Sequence, residues 1–269
     1  MSAPATLELS AVRKTFFAGT ANEVEALKGI DLDVPAGQFV TIIGSNGSGK
    51  STMLNSVAGT YPLSSGAIVL DGKDISRQAE HLRSRTIGRV FQDPRAGTAP
   101  EMTIEENLAL AVLRTQRSGL RRGVTNRRRE VMREQLSRLG MGLEDRLKSG
   151  VLKLSGGQRQ AMSLLMATIA EPGLLLLDEH TAALDPKVAA TIMELTDAIV
   201  TERRLTTLMI THNMELALRY GDRLVMMHGG RIVLDLNRDE KQGVTVSDLV
   251  AKFHEVAGEA FAVDRILLD

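Results

Sequence analysis

A chain of 269 residues with 43% hydrophobic side chains can bury one sizeable core, or one core plus a lobe. Its 33 basic and 33 acidic residues cancel, and aromatics make up 3% with no Trp, so there is no global pull toward nucleic acid or anionic membrane and little material for a base-stacking platform. The absence of Cys excludes disulfides, thiolate zinc sites and cysteine nucleophiles, and fits a reducing, cytosolic setting. Residues 1–10 lack a basic segment followed by an apolar one, and no apolar run approaches the roughly 20 residues of a membrane span. A soluble protein without a signal peptide is expected, one that would serve a membrane only through a partner.

Residues 7–12 alternate and predict a strand, and 24–34 contain a second strand-like stretch ending at the turn Pro35-Ala36-Gly37. The β-branched run 39–43 enters a Gly/Ser-rich loop at 44–49, and 50–57 have helical spacing that stops near Gly59. Strands are expected at 67–70, before the tight turn Asp71-Gly72, and at 87–91. From 104 to about 147 the pattern becomes helical and richly basic, with 114–129 read as a polar helical hairpin or exposed excursion. Helical periodicity resumes at 155–170. The uninterrupted apolar run 174–177 suits a strand covered on both faces, as in a parallel sheet. Short strands at 207–210, 223–227 and 231–234 and a helical tail at 246–268 complete the reading. Strands alternating with helices, interrupted by a helical block near 93–160, predict an α/β core with a mostly parallel sheet and a helical subdomain.

Gly44-Ser45-Asn46-Gly47-Ser48-Gly49-Lys50-Ser51 fills the phosphate-loop pattern, between a predicted strand and a predicted helix. Glycines let the backbone turn its N–H groups around an anion, and the next helix offers an N-terminus with unpaired donors. Lys50 supplies a charge for the β- and γ-phosphates, and Ser51 a hydroxyl for Mg²⁺. A glycine-rich turn carrying a Lys by chance would not fill every fixed position in that context.

Leu177-Asp178-Glu179 puts two carboxylates at the end of the apolar run, where open α/β sheets bind ligands. Neighbouring side chains on a strand point to opposite faces, so the two can act differently. Asp178 is placed to hold Mg²⁺, and Glu179 to polarise an attacking water. The plainer reading, a strand ending in a solvated acidic turn, loses ground beside the phosphate loop.

Further segments resemble the ABC ATPase family. Leu154-Ser155-Gly156-Gly157-Gln158 matches its signature motif, Val90-Phe91-Gln92-Asp93-Pro94 its Q-loop, Ala183-Leu184-Asp185 its D-loop, and Ile210-Thr211-His212 its switch-histidine segment. The resemblance runs from Leu7 to about Asp235. It implies a P-loop NTPase core (about 1–92 and 161–235) with an antiparallel β subdomain, a helical signature subdomain (about 93–160) and a helical tail (about 245–269), all one ATPase domain. It also implies ATP held by residues 44–51 with Thr52, and adenine stacked on Phe16. Mg²⁺ would be held by Ser51, Gln92 and Asp178, and catalysis would fall to Glu179, His212 and Gln92. Ser155, Gly156, Gly157 and Gln158 would cap the γ-phosphate on a second copy of the chain, across a head-to-tail homodimer with Ala183, Leu184 and Asp185 at its seam. A hydroxyl, small residues and a following helix make the signature a second anion-binding helix start, one more than a single nucleotide needs.

The family resemblance also implies a membrane permease as partner, docked on the helical lobe, and a place on the cytoplasmic face of the cell membrane. Residues 91–111 look like those of bacterial uptake ATPases. Lys14-Thr15-Phe16-Phe17 and Asp178-Glu179-His180-Thr181 resemble a subgroup that works with solute-binding lipoproteins for small organic solutes such as amino acids. Alternatives are an exporter or lipoprotein-extraction ATPase, a soluble ABC protein acting on DNA or ribosomes, and a P-loop kinase or GTPase. One cassette without sustained heptads argues against the soluble ABC protein, and the signature against the kinase or GTPase.

The chain departs from the family pattern at His180, commonly Pro; at Ala182, usually Ser; and at Ala161 and Met166, where Arg is common. The methionines at 162, 166, 209, 226 and 227 read as core filler. His81, His228 and His254 lack metal-ligand spacing. The Arg-rich stretch 114–133 reads as a solvated face rather than a nucleic-acid site, since aromatics are missing and Glu130 interrupts it.

Overall fold

The computed structural model of the chain describes residues 7–115 and 123–257. In chain order the strands are β1 (Leu7–Phe16), β2 (Val24–Val34), β3 (Phe39–Gly44), β4 (Ser65–Leu70), β5 (Lys73–Asp74), β6 (Ile87–Val90), β7 (Leu174–Asp178), β8 (Thr206–Ile210), β9 (Arg223–His228) and β10 (Arg231–Leu236). The helices are α1 (Lys50–Ala58), α2 (Glu80–Arg83), α3 (Ile104–Leu113), α4 (Asn126–Ser137), α5 (Gly156–Thr168), α6 (Pro186–Arg203), α7 (Met214–Arg219), α8 (Arg238–Lys241) and α9 (Val246–Ala257), with 3₁₀ turns at Glu144–Arg146 and Val151–Lys153. The α/β class with both parallel and antiparallel strands is as the sequence predicts. The chain forms two compact units, Met1–Arg83 with Arg204–Asp269, and Ser84–Arg203.

In the first unit, β2, β1, β4 and β5 form an antiparallel sheet. The strand expected over 7–12 runs on to Phe16 because it stays paired with β2 as far as Phe16↔Val24. It does so through register shifts near Ala11, whose φ of 46° marks a bulge. β3 lies between β8 and β9 in parallel register, and β10 turns back antiparallel to β9. All six residues of β3 are buried, as a strand covered on both faces requires. α1 buries Lys50, Met53, Leu54 and Val57, the i, i+3, i+4, i+7 stripe of a helix lying on a sheet. Ile43, Met214, Leu224, Met226, Leu249 and Phe253 form one core cluster, in which α9 is docked. The expected tail helix is present as α9 over Val246–Ala257; the rest of that expectation, 258–268, lies outside the described residues.

In the second unit, β6 and β7 pair in parallel, Ile87↔Leu174 to Val90↔Leu177. The basic block resolves into two separate helices, α3 and α4. α3 starts at a capping box in which Thr103 and Glu106 satisfy each other's backbone N–H. Glu105 and Arg129 then pair two-fold at 2.7 and 3.1 Å, linking α3 to α4. That ion pair and its hydrogen bonds hold the Glu105 carboxyl below its ordinary range. Of the excursion expected over 114–129, residues 116–122 lie outside the described residues, and 126–129 form the first turn of α4. The sequence reading did not single out α6, the 18-residue helix that packs on α5. Its buried Ile192, Thr196 and Ile199 recur at helical spacing, so the signal was present. Met162, Met209, Met226 and Met227 are buried and Met166 packs partly against the core, which is what filler methionines do.

Candidate functional site

In the first unit, loop 44–49 leaves the C-terminal end of β3 and delivers the chain to α1. Gly44 (φ 149°) and Gly49 (φ 101°) lie in the region that favours glycine. A Cβ on Gly44 would fall 2.2 Å from the Met227 carbonyl, and one on Gly49 2.7 Å from that of Ala26. By contrast, a Cβ on Gly47 would meet nothing within 4 Å. The loop is braced by backbone bonds: Gly230 N donates to Ser48 O at 3.0 Å, and Lys28 N to Gly230 O at 2.9 Å. The side chain of Lys50 is buried, and its Nζ donates to the carbonyls of Gly44 at 2.6 Å and Ser45 at 2.9 Å. α1 begins at Gly49 without a side-chain cap, so its first N–H groups face the loop as anion donors. Ser51 and Thr52 occupy its first turn.

His212 follows β8. The parallel register Ile42↔Ile210 and the bond from Thr211 N to Ile42 O, 3.1 Å, bring it to the same end of the sheet as the loop. Phe16 ends β1, with the Tyr61 ring edge-on at 5.3 Å and the Lys14 ammonium 4.9 Å from its centroid. Its neighbour Phe17, at 69% exposed, is the more accessible ring.

In the second unit, Gln92 and the pair Asp178, Glu179 leave the C-terminal ends of the neighbouring parallel strands β6 and β7. Gln92 is exposed, and the two carboxylates are half-buried. Sequence reading missed Arg89, whose guanidinium lies 3.5 Å from the Asp178 carboxylate and 4.4 Å from the Phe91 ring centroid. That reach is set by the β6–β7 register, which the sequence does not print. Glu179 has a φ of 45°, the left-handed region. His180 is 2% exposed, and burial pushes its imidazole down to about 4.

Ser155 caps α5 in a full capping box: its Oγ accepts from Gln158 N, and Gln158 Oε1 accepts from Ser155 N, both at 3.2 Å. Ser155 and Gly156 are exposed, and the Ser155 hydroxyl proton remains available to donate to an anion. Gly157 abuts α6, where a Cβ would fall 2.4 Å from a Val188 methyl. Ala182 and Ala183 are exposed, with Leu184 half-buried. Asp185 accepts from Val188 N at 3.2 Å and so caps α6.

Ser51 in the first unit, and Gln92 and Asp178 in the second, each offer a hard oxygen donor of the kind magnesium prefers. Among the described residues no group of three or more His, Cys, Asp or Glu side chains could hold a metal. No helix among them is long and apolar enough to cross a membrane.

Comparison with known proteins gives the same family. The family model described as ABC transporter matches residues 27–182. A tyrosine transport ATP-binding protein of Clostridioides difficile is 47% identical over 224 residues, covering 83% of this chain and 89% of the relative. An aliphatic sulfonates import ATP-binding protein of Agrobacterium fabrum is 37% identical over 79% of this chain and 74% of its own. A lipoprotein-releasing system ATP-binding protein of Pseudomonas syringae is 35% identical over 87% and 99%. Among solved structures, the dimeric post-hydrolysis state of an ATP-binding cassette bound to ADP and Pi superposes with a TM-score of 0.75 at 29% identity, over 86% of this chain and 98% of that one.

Proposed function

The chain belongs to the ABC transporter family as an ATP-binding subunit whose hydrolysis of ATP is coupled to transport, and on that premise we propose that it powers uptake of a small, amino-acid-like organic solute through a separate permease. The observation that carries the solute class is the 47% identity to a tyrosine transport subunit, ten points above the sulfonate and twelve above the lipoprotein-releasing relative.

In this reading residues 44–52 bind the phosphates of ATP through backbone N–H groups, with Lys50 on the β- and γ-phosphates and Phe16 under the adenine. Ser51, Asp178 and Gln92 would hold magnesium, which when bound would supply positive charge to offset the charge that develops on the phosphates. Glu179 polarises the attacking water, and Gln92 and His212 hold water and γ-phosphate in line. Two copies pair head to tail, and Ser155 to Gln158 of one cap the γ-phosphate held by the other, with Ala183 to Asp185 at the seam. The whole chain is then one ATPase domain, whose helical segment, about 93–160, carries the permease contact. Its place is the cytoplasmic face of the cell membrane, where a solute-binding protein on the far side feeds the permease.

The test is to tag the chain in its host, solubilise membranes gently and identify what co-purifies. Recovery of a multi-span permease with a solute-binding protein, and loss of amino-acid uptake on deletion, is the expected result. Recovery of a lipoprotein-handling membrane complex would move the chain to lipoprotein release, the second reading, which the P. syringae relative supports.

A further inference from the structure

The segment after β7 carries an arrangement that the phosphate chemistry does not use. Glu179 is in the left-handed region (φ 45°), a conformation that is unfavourable for a residue with a side chain and persists only where its surroundings hold it. Directly after it, His180 turns inward and is 2% exposed. Its Nε2 lies 3.1 Å from Oγ1 of Thr196, midway along α6 and itself fully buried. Thr196 Oγ1 also lies 2.7 Å from the carbonyl of Ile192. With Nε2 protonated the ring donates to Oγ1, whose own proton goes to Ile192; with Nδ1 protonated the hydroxyl donates to Nε2, so a neutral imidazole is bonded to Thr196 in either tautomer. An apolar side chain could fill the same space, but only a directional bond fixes its register along α6.

The residues between, 181–185, form a short loop with both ends tied to that helix. One end is tied through His180 to Thr196, and the other through Asp185, which caps the first turn. Ala182 and Ala183, between the two ties, face solvent.

We propose that the buried His180–Thr196 hydrogen bond is a positioning peg, which sets the direction of the Glu179 carboxylate and transmits displacement of the exposed 181–185 loop to it. His180 and Thr196 are positioning residues and touch no reacting atom. The inference rests on the reading that Glu179 activates water. It adds that the departure from Pro at 180 is a device that ties this carboxylate to α6.

The experiment compares Thr196→Val, which keeps shape and loses the hydroxyl, with Thr196→Ser, which keeps it. It uses the full chain, ATP hydrolysis at saturating Mg·ATP, and amide hydrogen exchange. For Thr196→Val we expect kcat to fall about tenfold, a fraction of the ~10²–10⁴ a general base supplies, with KM for ATP within about twofold. Exchange should quicken about tenfold across 179–186 while other protected segments keep their rates. Thr196→Ser should stay within about twofold of the parent in both readouts. An unchanged kcat and unchanged local exchange in Thr196→Val would overturn the peg, and so would a loss of protection spread over the whole chain with kcat and KM moving together. Should Thr196→Val fail to fold, His180→Gln, whose amide N–H can reach Thr196, must exceed the shorter His180→Asn in kcat; equal rates would overturn the proposal. Glu179→Gln is measured in parallel. If Glu179→Gln is inactive while Thr196→Val is unchanged, the peg is rejected and the role of Glu179 stands. If Glu179→Gln is fully active, that role fails, and with it the positioning of a catalytic carboxylate.

Discussion

Two residues carry opposite electrostatic arrangements. Lys50 is buried but satisfied, its ammonium donating to two loop carbonyls that aim it within the loop. Replacing it by Ala removes charge-assisted hydrogen bonds of about 1.5–3 kcal/mol each. Lys50→Ala should therefore weaken ATP binding at least about tenfold by titration calorimetry, and unaltered affinity would remove Lys50 from the phosphate site. His180 is buried and neutral, held down to about 4 by desolvation. Unfolded, the same imidazole titrates near 6.5, so between those values the unfolded chain binds more protons than the folded one. Its contribution to stability is therefore complete above about pH 6.5 and is lost as the pH falls toward 4, by about 3 kcal/mol in all. Urea unfolding at pH 7 and pH 5 should show His180→Gln losing less stability on acidification than the parent. Equal losses would mean that the imidazole is already solvated in the folded state.

At the scale of elements, α1 and α5 both begin where an anion can be met, but they are built differently. α1 has no side-chain cap, while α5 has the reciprocal Ser155–Gln158 box. Ser155→Ala should cost about 1 kcal/mol of stability through the lost cap. If the signature acts on the other copy's nucleotide, it should also lower turnover while leaving ATP affinity of the monomer nearly intact. Parallel loss of affinity would contradict action in trans. These local features were legible in the sequence because loop, cap and helix start are written in consecutive residues. α6 was legible in principle from the spacing of Ile192, Thr196 and Ile199, yet no motif drew attention to it. The His180–Thr196 bond and the Arg89–Asp178 pair were not legible, since both depend on how separated segments pack, and a lone His or Arg carries no address.

For the molecule as a whole, the proposed head-to-tail pairing makes assembly depend on nucleotide. Glu179→Gln should bind ATP, hydrolyse it very slowly and accumulate as a dimer by light scattering under saturating Mg·ATP. A persistent monomer would count against shared sites. Glu179→Asp, which retains a carboxylate but shortens its reach, should stay slow as well, since position and charge are both required. The class of fold followed from strands alternating with helices and from buried runs such as 174–177. The exact pairing did not, because β1 crosses its bulge and continues to Phe16 only when β2 lies alongside. Sequence alone also left the solute open, since solute choice belongs to components outside this chain.

The bracing of the phosphate loop has a consequence for how this protein can be interrogated. Ser48, Gly230 and Lys28 are joined through peptide groups alone, and Gly230, at φ 82°, would drive a Cβ to 2.8 Å from the Ala26 carbonyl. Alanine scanning works by deletion, so a survey of side chains passes over a scaffold that contains none. At such positions information flows the other way: the smallest addition, one methyl group on Gly230 in a turn remote from the motif in sequence, is the change that the nucleotide would feel.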